Sequence, residues 1–137
     1  MVVDHAGYID YDDKIRRFNR ARCVFKNGKL DVVAEARGCT LKLFGIPFSD
    51  SESVADLAGK SFGPNSEVVR DDPIAEGGVE MGENYFSWLS LTVRCKKYDT
   101  AANTLSVSFQ AEIEEVEWGD SGDVDGAVVC EVVESLW

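Results

Sequence analysis

The sequence predicts a mainly β fold: an antiparallel β-sandwich or partly open barrel of about six to eight strands, with one short helix. Three observations carry this expectation. Asn27-Gly28 separates two alternating apolar runs, the place where a two-residue type I′ turn needs positive φ angles. A second pair of alternating runs, "YFSWLSLTVRCKKYD" and "TLSVSFQAEIEEVEW", flanks a short polar loop. The chain then closes on "AVVCEVVESL", which reads as a last strand.

Taken in order, residues 1–13 read as a mobile end and the rest as one domain within 1–137. With the turn at Asn27-Gly28, Phe25 faces Leu30, Cys23 faces Val32 and Ala21 faces Ala34, all on one side. Turn chemistry and alternation agree, so the register of this hairpin is well specified. Gly38 breaks the run, and "CTLKLFGIPF" makes a third strand with Leu41 and Leu43 inward, ended or held at an edge by Pro47. "DSESVADLAGKSFG" reads as a short helix capped by Asp50 or Ser51 and closed by Gly59. Residues 62–84, rich in Gly, Pro, Asn and acids, read as a long loop with one short strand at "GGVEMG".

In the second hairpin, Leu89, Leu91, Val93 and Cys95 share a face, as do Leu105, Val107, Phe109, Ala111 and Ile113. A loop at 100–103, with Asn103 in the left-handed conformation, sets Tyr98 opposite Leu105. Carried on unbroken, that register mixes apolar and polar faces. A β-bulge at Lys96-Lys97 restores the match of Cys95 with Val107 and Val93 with Phe109. A change of parity between Ile113 and Val116 predicts a second bulge near Glu114-Glu115.

Composition narrows function mostly by exclusion. The chain has 137 residues, 45% of them apolar, enough for one buried core. Its N-terminus has no apolar run long enough for a signal peptide, and no segment approaches a membrane span, so it reads as cytoplasmic. Cys23, Cys39, Cys95 and Cys130 form no CxxC pair, which leaves no zinc pattern and predicts buried, reduced thiols. His5 is the lone histidine, so a Ser–His or Cys–His nucleophile has no evident base, although Ser–Lys and carboxylate chemistry stay open. No cofactor motif is present; Gly59, Lys60 and Ser61 echo a phosphate-binding loop, but Val54 stands where its first glycine belongs.

Net charge is −11, which disfavours nucleic acid and anionic membrane as partners. The distribution is polarised. Residues 14–42 carry nine cations against Asp31 and Glu35, whereas residues 98–137 carry ten acids and neither Lys nor Arg. Within the acidic third, "WGDSGDVDGAVVC" resembles a calcium loop. Taking Gly126 as the sixth position puts Ser121, Asp123 and Asp125 at the first, third and fifth, but Val132 then falls where a bidentate Glu is required. It reads instead as a solvated connection between strands, with no metal site.

The first functional reading is therefore a non-catalytic acidic interaction domain, an inhibitor or immunity-type protein that masks a basic partner through Glu112, Glu114, Glu117, Asp120, Asp123 and Asp125. The plainer account of these acids is solvation, or pairing with the cations of 14–42. The alternative is a module binding a carbohydrate or other small ligand on Tyr85, Phe86, Trp88 and Trp118. Phe86 and Trp88 lie opposite Leu89 and Leu91, on the face that carries Ser90, Thr92, Gln110 and Glu112. That company argues for solvent; a second layer over the face would make them core. A carboxylate-based hydrolase is the third reading, resting on the abundance of acids alone.

Overall fold

The computed structural model describes residues 6–65 and 73–136. Ten strands form in the order β1 (Gly7–Tyr11), β2 (Lys14–Phe18), β3 (Arg20–Lys26), β4 (Lys29–Ala36), β5 (Cys39–Pro47), β6 (Ser61–Asn65), β7 (Gly78–Met81), β8 (Asn84–Asp99), β9 (Thr104–Glu115) and β10 (Ser121–Val132). Single 3-10 turns at Val54–Leu57 and Pro73–Glu76 are the helical elements described.

The sheet closes on itself. Neighbours run β10-β3-β4-β5-β7-β8, and β9 pairs with both β8 and β10, which completes a seven-stranded barrel. Of the two architectures expected, the barrel is the one formed, and it is closed. A short parallel contact of β10 with β3, Glu131 to Arg22 and Val132 to Cys23, makes one seam of the ring; the other strand pairs are antiparallel. β1 and β2 form a hairpin added to the free edge of β10, and β6 adds to β8.

The hairpins legible in the sequence form in the expected register. Phe25 faces Leu30 across Asn27 and Gly28, both at positive φ, and Cys23 faces Val32. In the second hairpin Tyr98 faces Leu105 and Cys95 faces Val107, with the pairing shifted between Cys95 and Lys97. The extra residue is thus Lys96, and it keeps both apolar faces aimed inward. The expected short strand at "GGVEMG" is β7, and Pro47 ends β5.

Four expectations are corrected. Residues 7–11 are a strand, drawn into order by the edge of β10, and the Asp12-Asp13 turn that follows has both residues at positive φ. The expected helix at 50–63 is one 3-10 turn; Ser53 caps it, and the Asp56 carboxylate accepts the amides of Glu52 and Ser53. The second bulge lies on β8, not near Glu114-Glu115: Trp88 faces Ile113 and Ser90 faces Glu112, so Leu89 is the extra residue. β9 alternates without a break to Glu115, which is buried. The stretch at 121–126 is not a loop but the first half of β10. Of the loop expected at 62–84, residues 66–72 lie outside the described residues, as does His5.

The core is the barrel interior. Leu30, Leu41, Leu43, Ile46, Leu91, Leu105 and Ile113 are among its largest aliphatic members, with Leu57 added from the first 3-10 turn and Ile9 and Phe18 brought in by the added hairpin. Gly126 is part of that fit. A Cβ there would stand 2.3 Å from the Tyr8 carbonyl oxygen and 2.7 Å from the Phe109 ring, so only glycine lets β1 and the core ring close on β10. The glycine that made this stretch resemble a calcium loop serves close packing.

Candidate functional site

Alternation on three neighbouring strands builds the outer face on which the acids stand. β10 turns Val124, Gly126, Val128 and Cys130 inward, so Asp123 and Asp125 point out; β9 likewise turns Glu112 and Glu114 out. The register then sets Asp123 directly opposite Glu112, Ser121 opposite Glu114 and Asp125 opposite Gln110. On the other side of β10, Asp10 stands directly opposite Asp125. Like charges directly opposed across strands destabilise a sheet, and here two such pairs lie side by side.

Shallow hollows run along this face. One of about 380 Å³ is lined by Ser90, Thr92, Gln110, Glu112, Asp123 and Asp125. A neighbour of about 460 Å³ is lined by Asp10, Tyr11, Asp12, Asp13, Asp123 and Asp125 among others. A third, about 220 Å³, adds Tyr8, Arg94 and Ser108 around Asp125. The ion pairs among the described residues are Arg22–Glu35 and Lys42–Glu80, both on the side of the barrel built from β3, β4, β5 and β7. The pairing of these acids with cations of 14–42, weighed from the sequence, is not seen among the described residues.

Glu117 and Asp120 stand apart from that sheet face, on the turn at 116–120 that joins β9 to β10. Four hydrogen bonds hold this turn. The Gly119 amide donates to the Glu115 carbonyl at 2.9 Å, the Glu115 amide to the Asp120 carbonyl at 2.7 Å, and the Val116 amide to the Tyr85 carbonyl at 2.9 Å. The fourth comes from Glu115 itself, 4% exposed, whose carboxylate accepts the Trp118 amide. Asp10 was missed in the sequence because residues 1–13 carry a single buried aliphatic, Ile9, among the described positions. The available signal was the alternation of "GYIDY" and its mirror "KIRRF" about the Asp-Asp turn.

The aromatic platform is corrected. Phe86 is 5% and Trp88 2% exposed, because the bulge at Leu89 reverses parity and turns both rings into the barrel. Trp88 packs edge-on to Phe109, ring centroids 6.5 Å apart, and donates from Nε1 to the Lys42 carbonyl at 3.2 Å. Phe86 meets Tyr11 at 5.4 Å. Tyr85 is half-buried and donates its hydroxyl to the Gly77 carbonyl at 3.2 Å; burial raises its pKa. Trp118 alone of the four is exposed, at 74%.

The four cysteines are buried and unbridged. Cys23, Cys95 and Cys130 converge in the core, where burial pushes the Cys95 thiol up to about 12, and the Cys23 thiol together with burial raises Cys130. Among the described residues no group of three His, Cys, Asp or Glu side chains is placed to hold a metal ion, and no helix is long and apolar enough to cross a membrane. Lys60 Nζ donates to Ser51 Oγ at 2.7 Å, and its charge also favours the ionised Asp56 carboxylate.

No protein-family model matches the chain, and no curated protein is similar to it. The site's reading rests on its own chemistry.

Proposed function

We propose that this protein is a non-catalytic acidic interaction domain that docks a basic protein surface, in the manner of an inhibitor or immunity-type protein masking a cationic target. One observation carries the reading: Glu112–Asp123 and Asp10–Asp125 are directly opposed carboxylate pairs with no cation bound to them among the described residues. Solvation alone is served by scattered charge. Two repelling pairs in register weaken the sheet that holds them, and a cationic surface relieves that repulsion on binding. The hollows along the face give such a surface room to seat side chains.

Carboxylate-based hydrolysis draws less support. Acid and base roles need environments that set one carboxyl apart from another, and Glu112, Asp123 and Asp125 all stand exposed on one open face. A small-ligand module on Tyr85, Phe86 and Trp88 loses its basis with those rings in or against the core.

The test is kinetic. A partner captured from the native host is measured against wild type and the variant Glu112→Gln, Glu114→Gln, Asp123→Asn. Association should slow far more than dissociation changes, and the difference should fade as salt shortens the screening length below about 8 Å. Association at the wild-type rate would remove the acidic face from the function.

A further inference from the structure

We propose that the turn at 116–120 is the anchor of this docking face, and that Trp118 receives an arginine side chain of the partner, stacked on the indole and held by neighbouring carboxylates. The inference rests on the reading that the face receives a basic partner and names the contact that would hold it. Trp118 is 74% exposed, and Val116 beside it is 60% exposed. Large apolar side chains left in water together, on a segment that is otherwise acidic, call for a binding explanation.

The turn is built to hold the Trp118 backbone still. Glu115 spends a buried carboxylate on the Trp118 amide, two backbone hydrogen bonds close the turn on Glu115 at the end of β9, and a third ties Val116 to Tyr85 on β8. A side chain presented from a fixed backbone loses little freedom on binding, which is the condition for an anchor residue.

The surroundings decide what the indole meets. Glu117 and Asp120 flank it in the turn, and Glu114 Oε1 lies 3.7 Å from where a Gly119 Cβ would stand. An apolar pocket closing over Trp118 would strip water from these carboxylates without replacing it, which is costly. A guanidinium avoids that cost. It stacks on indole, the best of the aromatic faces for a cation, and its planar fork donates to carboxylates two bonds at a time. Lysine is a compact, strongly hydrated point charge and satisfies the carboxylates without the stacking.

Two synthetic peptides of equal length and charge test this, one of six Gly-Arg repeats and one of six Gly-Lys repeats. Binding of each to protein carrying Trp137→Phe is measured by titration calorimetry, and, with Trp88 buried and Trp118 exposed, emission and acrylamide quenching report in parallel on Trp118 where it is present. The arginine peptide should bind roughly three- to thirtyfold more tightly than the lysine peptide and shield Trp118 from quencher. Trp118→Ala should bring the arginine peptide to the lysine level, while Glu112→Gln with Asp123→Asn should weaken both peptides alike. Equal binding of the two peptides, or a preference that survives Trp118→Ala, overturns the arginine anchor while leaving the acidic docking face standing. If neither peptide binds at low salt, the docking face fails and the anchor with it.

Discussion

Replacing Glu112 with Gln and Asp125 with Asn removes one member of each opposed pair, Glu112–Asp123 and Asp10–Asp125. Directly opposite residues hold their Cβ atoms about 4.5–5.5 Å apart. Two unit charges about 5 Å apart repel by roughly 0.8 kcal/mol in water, less once salt screens them. Relief of both pairs should therefore stabilise the fold by about 1 kcal/mol. Unfolding entropy scales at about 2.1 cal/mol/K per residue, so over this chain that gain raises the melting temperature by roughly 3–4 °C. Urea unfolding followed through the buried Trp88 reads the change, at about 20 mM and about 500 mM salt. The gain should be present at low salt and largely gone at high salt. The same double variant should associate more slowly with a basic partner, so stability and binding move in opposite directions. A loss of stability greater than about 1 kcal/mol would refute the reasoning, because it would mean that these carboxylates hold partners within the fold.

Trp88→Ala should cost about 3–5 kcal/mol in denaturant unfolding, through the cavity it opens and the lost Nε1 bond, whereas Trp118→Ala should stay within about 0.5 kcal/mol. Similar costs for the two would contradict a buried Trp88 and an exposed Trp118. In native protein at pH 8 a water-soluble disulfide reagent should find almost no reactive thiol, and all four after denaturation. Cys95 keeps its proton up to about 12 in the fold against an ordinary 9.0, so the unfolded chain ionises first. That contribution to stability is full below pH 9 and falls by up to about 4 kcal/mol as pH rises toward 12, which an alkaline unfolding series measures. Gly126→Ala should loosen β1 from β10, seen as faster amide exchange at residues 7–11, because its Cβ would meet the Tyr8 carbonyl at 2.3 Å. Millimolar calcium should leave the melting temperature in place; a micromolar site would instead add about 4 kcal/mol.

Local agreement made parts of this fold readable in advance. The Asn27-Gly28 hairpin combines a turn dipeptide with matched alternation on both sides, and the register of its seven residue pairs follows from those two facts. The bulge at Lys96 was readable for the same reason, since one extra residue reconciles two apolar faces already known to be partners. The outward Glu112 and Glu114 follow from the same alternation, whereas Asp123 and Asp125, read as part of a connection, face outward only because residues 121–126 join β10.

The second bulge shows where that reasoning runs out. Parity required an extra residue somewhere between the two strands. Which strand holds it depends on the neighbours of β8, whose other edge is shared by β7 near Ser87 and by β6 near Val93. That placement decides whether Phe86 and Trp88 are a binding platform or core, and it is nowhere written in the residues 84–115 alone. β1 and β2 are similar: five residues each, with little apolar surface, they become strands because β10 offers a free edge, and so Asp10 reaches Asp125. Turn chemistry and period are properties of adjacent residues, so the sequence carries the hairpins, their registers and the sign of the charge on each face. Closure of the barrel, the choice of bulged strand and the meeting of carboxylates from β1, β9 and β10 depend on which edges meet, and edges meet through backbone groups that every sequence shares.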